Sequence, residues 1–396
     1  MHYSVISSNG FESEIPLLSY ILNYLNTFLV IITIYFHFNH YNFRQLLLLT
    51  SFFCVISSIP PHMIDIPNHD YQILSAIDKI NSRCKCKHLE ELNFSNNTLF
   101  ALPGRFFSNC SQLNSLILSN NKIMEMANDT FDNLFELRHL DLSFNRISAF
   151  PKDIFKSLIN ICILLLNGNR IQAIESDLFY YNQNMWRLDL SFNNLRIIQS
   201  ETFCTLKNLY FLDVYSNKNL NSINLTCAYV KSLDVSDCGL TQLFVPPNMH
   251  KISADNNQID FVDAQPNSNL KHLSMSYNKL TNLSMLSPLV NLVFLDIEHN
   301  LINYIDFTDL SNLKDLKFLY FELNPNQKIS IADIKQILPL IRQLHIISPN
   351  LSTERKNQIL YDCKQFKLDI NINGEVYSPF LELLASLEKK KATVAC

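Results

Sequence analysis

An asparagine recurs along this chain at a fixed interval. It stands at Asn97, Asn121, Asn145, Asn169, Asn193 and Asn217, each 24 residues after the last, and the series continues through Cys238, Asn257, Asn278, Asn300 and Asn324 at intervals of 21, 19, 21, 22 and 24. The same apolar phrase surrounds each member, as in Leu137, Leu140, Leu142, Asn145 and Ile147, or Met185, Leu188, Leu190, Asn193 and Leu195. Such a period marks one supersecondary unit stacked many times, because a single unit has nothing against which to bury its apolar side.

The phrase L-x-x-L-x-L-x-x-N/C-x-L is the leucine-rich-repeat signature. It predicts an α/β repeat solenoid: a horseshoe with parallel strands on the concave face and loops and short helices on the convex face. The Leu-x-Leu alternation turns leucines inward and the intervening residues onto the concave surface. The asparagine amide carries donors and an acceptor, so stacked copies satisfy backbone groups left over where the chain bends. At Cys238 a small thiol replaces it. A second 24-residue series, Phe107, Phe131, Phe155, Phe179 and Phe203, predicts a stacked apolar spine on the convex side. After Asn217 the repeats shorten, the spine stops and Pro246-Pro247 enters a convex segment, which predicts extended convex chain and a change of curvature or twist between about Asn217 and Asn257. Leu283, Leu286, Leu289 and Leu292 return to a helical spacing.

The expected organisation is a leader over 1–58, an N-terminal cap over 59–88, repeats over 89–347, and a C-terminal cap and tail over 348–396. The repeats make eleven clear turns, with a weaker twelfth at Ile341, Leu344 and Ile346. About twelve strands at roughly 4.8 Å give a concave arc of about 50 Å. Within the leader, Arg44, the apolar run from Leu46 and the small Ser57 and Ser58 follow signal-peptide grammar. The apolar stretch Leu17 to Phe36 is an upstream extension or, if retained, a membrane anchor, the only route by which a membrane becomes a partner.

A net charge of -4 offers no basic field for nucleic acid, and five glycines offer no phosphate-cradling loop, so neither nucleic acid nor a cofactor is expected. Glycosylation triplets occur at Asn93, Asn96, Asn109, Asn128, Asn224, Asn282 and Asn350. A chain so rich in Asn, Ser and Thr produces them by chance, so they do not argue for secretion. A glycan on Asn93 would obstruct the first concave strand. Cysteines are more informative. Cys204 and Cys227 fall on adjacent convex edges and are expected to pair; Cys84 and Cys86 belong to the cap, one of them a possible partner of Cys110. Cys84, Cys86 and His88 lack a fourth ligand for a metal. Cys162 and Cys238 fit buried repeat positions, and Cys363 or Cys396 is a candidate for a disulfide to a second chain.

Repeat parity places His139, Asp141, Trp186, Arg187, Asp189, Phe211, Asp213, Tyr215, Asp234, Phe294, Asp296 and Tyr320 on the concave face as the expected partner-binding surface. The aromatic cluster around Trp186, Phe211 and Tyr215 leads, since apolar side chains on an open strand face have no core to enter. Each aspartate also has a purely structural reading as solvated repeat consensus. His139, Asp141 and Ser143 supply the residue types of nucleophilic catalysis, but an open curved sheet supplies neither an oxyanion hole nor a water-excluding pocket, so no enzyme is expected.

The phrases Asp129-Thr130-Phe131 and Glu201-Thr202-Phe203, with Leu233-Asp234-Val235-Ser236-Asp237-Cys238-Gly239-Leu240 followed by Val245-Pro246-Pro247, resemble an insect-type extracellular leucine-rich-repeat protein, and in particular the leucine-rich immune molecules of mosquitoes. The likeness runs from about Cys84 to Asn350. It implies a secreted innate-immunity factor that binds immune proteins or pathogen surfaces, in some cases as a disulfide-linked complex. The chain departs from that pattern after Asn350, where no heptad run supports a coiled coil and Thr353 to Tyr361 makes only a short capping helix. A cell-surface adhesion or guidance module is the alternative, and it requires the Leu17 to Phe36 segment as an anchor.

Overall fold

The structure, a computed structural model, describes residues 63–65, 88–225, 229–265, 268–302, 307–321, 330–346, 352–372 and 375–378. Both apolar leader segments, Asn324, Asn350 and Cys396 lie outside the described residues. No helix among the described residues is long and apolar enough to cross a membrane.

Fifteen strands form one ribbon. Twelve carry the repeat, from Glu91–Asn93 to Gln343–Ile346, and each pairs in parallel with the repeat before and after it. The register places Leu92, Leu116, Leu140, Leu164, Leu188 and Leu212 side by side, every one buried, with exposed or half-buried residues on either flank save the buried Asp189. Parallel strands of only three residues hold because each lies between two others and covers one continuous core.

The asparagine series does what its chemistry allows. Asn145 donates to Leu118 O at 2.9 Å and Leu142 O at 3.0 Å, and its Oδ1 accepts from Ile123 N at 3.0 Å. One side chain thus ties its own turn to the turn before it, and Asn121, Asn169, Asn257 and Asn278 repeat the pattern. Cys238 keeps part of this role, its Sγ lying 3.4 Å from Val214 O, but it has no amide oxygen to offer. The preceding turn compensates with one extra residue, Asn217-Lys218-Asn219-Leu220, so that Leu220 N donates locally to Asn217 O at 2.8 Å. A Cβ on the following Gly239 would come within 3.1 Å of Lys218 O, so the bulged turn selects glycine there.

The phenylalanine spine is continuous: Phe107, Phe131, Phe155, Phe179 and Phe203 are all buried, with successive ring centroids 6.2, 6.2, 6.0 and 6.4 Å apart and planes within 18°. Beyond the spine the convex side is irregular. Gln242–Val245 pairs in parallel with Phe261–Ala264, an extended segment that runs into Pro246, and Ser284–Leu286 forms a short 3-10 helix within the leucine-spaced stretch.

The ribbon extends past the repeats at both ends. Met63–Asp65 pairs with Glu91–Asn93. At the other end, helix α1 (Ile331–Ile337) and helix α2 (Thr353–Phe366) flank the last repeat strand, each capped by a serine, Ser330 and Ser352, that accepts from the backbone three residues on. Helix α2 runs five residues past the Tyr361 end expected from sequence. Asp369–Ile372 then adds a parallel strand to Gln343–Ile346 and turns back through an antiparallel Glu375–Tyr377. Leu368, Ile370 and Ile372, with Ile359 and Cys363 of α2, close the open end of the core.

Cys110 and Cys204 each take part in a disulfide. Cys84, Cys86 and Cys227, the partners expected from sequence, lie outside the described residues. Cys162, Cys238 and Cys363 are free. Cys363 corrects the expectation that it could join a second chain: it is buried in the cap, and burial pushes its thiol up to about 12, which removes both access and thiolate.

Candidate functional site

The concave ribbon carries two aromatic patches, and a basic column that begins beyond the first runs alongside the second. In the first, Trp186, Tyr210 and Phe211 are 46%, 39% and 36% exposed. The indole meets the Phe211 ring edge-on at 4.9 Å and stacks over Tyr210 at 6.2 Å; Tyr210 and Phe211 are 4.7 Å apart. They sit at the start of adjacent strands, with Tyr210 N bonded to Trp186 O at 2.9 Å. Inward positions belong to leucine, so these side chains stay in solvent and brace one another. Tyr215 lies at the edge of this region against Phe192, at 5.0 Å.

The second patch is made by His272, Phe294, Phe318, Tyr320 and His345, on four consecutive strands that end with the last repeat strand. Its ring centroids are separated by 6.0 Å (His272 to Phe294), 6.5 Å (Phe294 to Phe318), 5.2 Å (Phe294 to Tyr320) and 3.9 Å (Tyr320 to His345). Of the residues expected on the binding surface, Phe294 and Tyr320 therefore belong to a separate group from Trp186 and Phe211.

The aspartate line has a local structural function. Asp141 Oδ1 accepts from Ser143 N at 2.9 Å, Asp189 from Ser191 N and Oγ, Asp213 from Tyr215 N, Asp234 from Ser236 N and Asp296 from Glu298 N. Each aspartate closes the turn that follows its strand. Arg187 pairs with Asp189 at 3.6 Å. Burial raises Asp213 to about 6 against the help of the Tyr215 amide, and the neighbouring Asp189 and Asp234 carboxylates add to the rise; burial likewise raises Asp296 to about 6. His139 sits 3.2 Å from Ser115 Oγ, while Asp141 is engaged with the Ser143 amide, so His139, Asp141 and Ser143 make no relay.

One set of exposed aromatics has no signature in the sequence. Among the described residues, the one before each asparagine or cysteine from Asn97 to Asn300 is left-handed: Asn96, Asn120, Phe144, Gly168, Phe192, Ser216, Asp237, Asn256, Tyr277 and His299, with φ between 51° and 68°. The conformation lets its amide continue the ladder into the next turn, as in Phe144 N to Asn167 O at 2.8 Å. It also throws Phe144, Phe192 and Tyr277 into solvent, each 51% exposed, and stacks Tyr277 on His299 at 3.9 Å. The Phe144 ring covers Gly168, where a Cβ would meet it at 2.6 Å.

Among the triplet asparagines, Asn96, Asn109, Asn128, Asn224 and Asn282 are exposed; Asn93 is half-buried on its strand and accepts from Ser95 N.

A buried leucine-asparagine ladder under an open parallel ribbon defines a leucine-rich-repeat solenoid, and residues 87–147 and 159–218 match the leucine rich repeat family. A search of curated proteins gives no match. Solved structures of the same fold include the mosquito LRIM1/APL1C complex, at 22% identity and a TM-score of 0.61, the match covering 72% of this chain and 52% of that one. The APL1 leucine-rich repeat domain matches at 22% identity and 0.61, over 72% and 75% of the two chains. The leucine-rich-repeat protein LIC12759 of Leptospira interrogans matches at 20% and 0.58, over 78% and 89%. The chain thus spans about half the length of the one in the LRIM1/APL1C complex. At these identities the likeness establishes the fold.

Proposed function

We propose that this is a secreted recognition protein of innate immunity that binds a protein partner or a pathogen surface with its concave face. The observation that carries the reading is the Trp186, Tyr210 and Phe211 cluster: three large aromatics held in solvent by a rigid ribbon, of the residue types that dominate binding hot spots. The disulfide-bonded Cys110 and Cys204 support an oxidising, extracellular setting. The resemblance to the mosquito immune molecules supports the immune role, and the LRIM1/APL1C complex is an instance of a related fold assembling with another protein.

Immobilised wild-type protein and a Trp186→Ala/Phe211→Ala variant, each offered insect haemolymph proteins and microbial cells, test the reading. The wild type is expected to retain a defined partner that the variant loses by at least about tenfold, with thermal stability unchanged because both side chains are exposed. Equal retention by the two proteins would refute the assignment of this patch. A cell-surface adhesion module is the second reading, favoured by the apolar Leu17 to Phe36 run. Full-length tagged chain expressed in insect cells separates the two: release into the medium supports secretion, and retention in the membrane fraction supports the anchor.

A further inference from the structure

The leading position of the last six repeat strands reads Lys231, His250, Lys271, Val293, Lys317 and Arg342, basic at all but one. These residues form a continuous column: His250 N bonds to Lys231 O at 2.8 Å, Lys271 N to His250 O at 2.9 Å, Val293 N to Lys271 O at 2.8 Å, Lys317 N to Val293 O at 2.9 Å and Arg342 N to Lys317 O at 2.8 Å. Lys251 and His272 stand one residue further along their strands and thicken it. With strands about 4.8 Å apart, the column runs about 24 Å.

Among the described residues, none of the column's four cations, Lys231, Lys271, Lys317 and Arg342, is in an ion pair with a carboxylate; the ion pairs present involve Arg105, Lys156, Arg187 and Lys218. The lysines act instead on the two histidines beside them, which stay neutral at pH 7. Lys231 and Lys271 help to hold His250 below its ordinary value, and Lys251 and Lys271 do the same to His272, in both cases after burial. On the opposite side of the ribbon Ser253 and Ser274 stand at the positions that Asp234 and Asp296 fill on either side, and the one carboxylate there, Asp255, is tied down by Ser274 Oγ at 2.7 Å and by Ser276 N and Oγ at 2.7 and 2.9 Å. The edge lined by Lys231, Lys251, Lys271, Lys317 and Arg342 is therefore positive, and the aromatic floor of Phe294 and Phe318 adjoins it.

We infer that the second half of the concave face binds an extended segment of a protein partner in which acidic and apolar residues alternate, the acids on the lysine column and the apolar side chains on Phe294 and Phe318. An extended chain places alternate side chains on opposite edges, which matches a face that is basic along one edge and aromatic beside it. A polymer charged on every unit fits less well, because it meets Asp234 on one side of Ser253 and Ser274 and Asp296 and Glu298 on the other. The inference rests on the concave face being the binding wall, but it uses none of the residues of the Trp186 patch.

Fluorescence anisotropy on the full chain tests it. The probe is a labelled peptide of about ten residues alternating Glu and Val, long enough to span the column; a Lys-Val peptide, a single-stranded RNA and a sulfated oligosaccharide are compared with it. The Glu-Val peptide is expected to bind in a salt-sensitive manner, to lose at least about tenfold in affinity in Lys251→Glu/Lys271→Glu, and to be weakened in the milder Lys251→Gln/Lys271→Gln. Trp186→Ala/Phe211→Ala is expected to leave it unchanged, so failure here and failure of the first patch are separately visible. No binding, binding indifferent to the lysine substitutions in folded protein, or tighter binding of the RNA or the oligosaccharide would overturn the proposal.

Discussion

At the scale of single residues, the concave face shows how one position serves packing and surface at once. Asp213 is held to the Tyr215 amide, yet its carboxyl is raised to about 6 by burial and by Asp189 and Asp234 on the adjoining strands. Its folded value lies above the unfolded one, so ionisation opposes folding: the penalty is present in full above about 6 and disappears as the pH falls toward the ordinary carboxylate value of 3.8. Asp213→Asn, which keeps an acceptor for the amide, should therefore raise stability at pH 7.5 by about 1 kcal/mol after allowance for solvent screening, and have little effect at pH 4. Urea denaturation at the two pH values checks this, and an equal effect at both would contradict the electrostatic origin. The aspartates were visible in the sequence as outward-facing, but their turn-closing role was not, because it depends on the backbone of the two residues that follow. The left-handed positions were invisible for a different reason: Asn, Phe, Gly, Ser, Asp, Tyr and His all occupy them, so no residue type marks the backbone geometry.

At the scale of elements, what could be read was whatever repeats. The asparagine ladder and the phenylalanine spine were both legible because a side chain that must contact its own counterpart in the next turn can recur only at the turn's period. Phe155 stacks between Phe131 and Phe179 and is fully buried, so Phe155→Ala opens a cavity at an interface shared by three turns. A loss of about 3–5 kcal/mol in urea-induced unfolding is expected, and a loss below about 1 kcal/mol would show that the spine is not part of the cooperative core. The terminal strands Asp369–Ile372 and Glu375–Tyr377 were not legible, because they lie outside the period and pair by position alone. The exchange of asparagine for Cys238 was readable as a substitution. Its consequence, the extra residue before Leu220 and the glycine at 239, required the coordinates.

At the scale of the whole molecule, stability comes from turns that cover one another, and the proposed function from a wall that no turn covers. The sequence told which residues face outward, and so found the Trp186 cluster. It did not separate that cluster from the Phe294 and Tyr320 group or disclose the basic column that runs alongside the second group, since both depend on which strands lie side by side. If each turn needs only a neighbour of matching shape, a whole turn is removable. Deleting residues 146–169 takes out one 24-residue repeat and brings Phe131 against Phe179 in register. Deleting 158–169 alone leaves half a turn and breaks the ribbon. Far-ultraviolet circular dichroism with thermal unfolding of these two variants is the most direct measurement. The whole-repeat deletion is predicted to unfold cooperatively within a few degrees of the parent while the half-repeat deletion fails to fold; a whole-repeat deletion that is unfolded, or a half-repeat deletion as stable as the parent, would contradict a core built from interchangeable stacked turns.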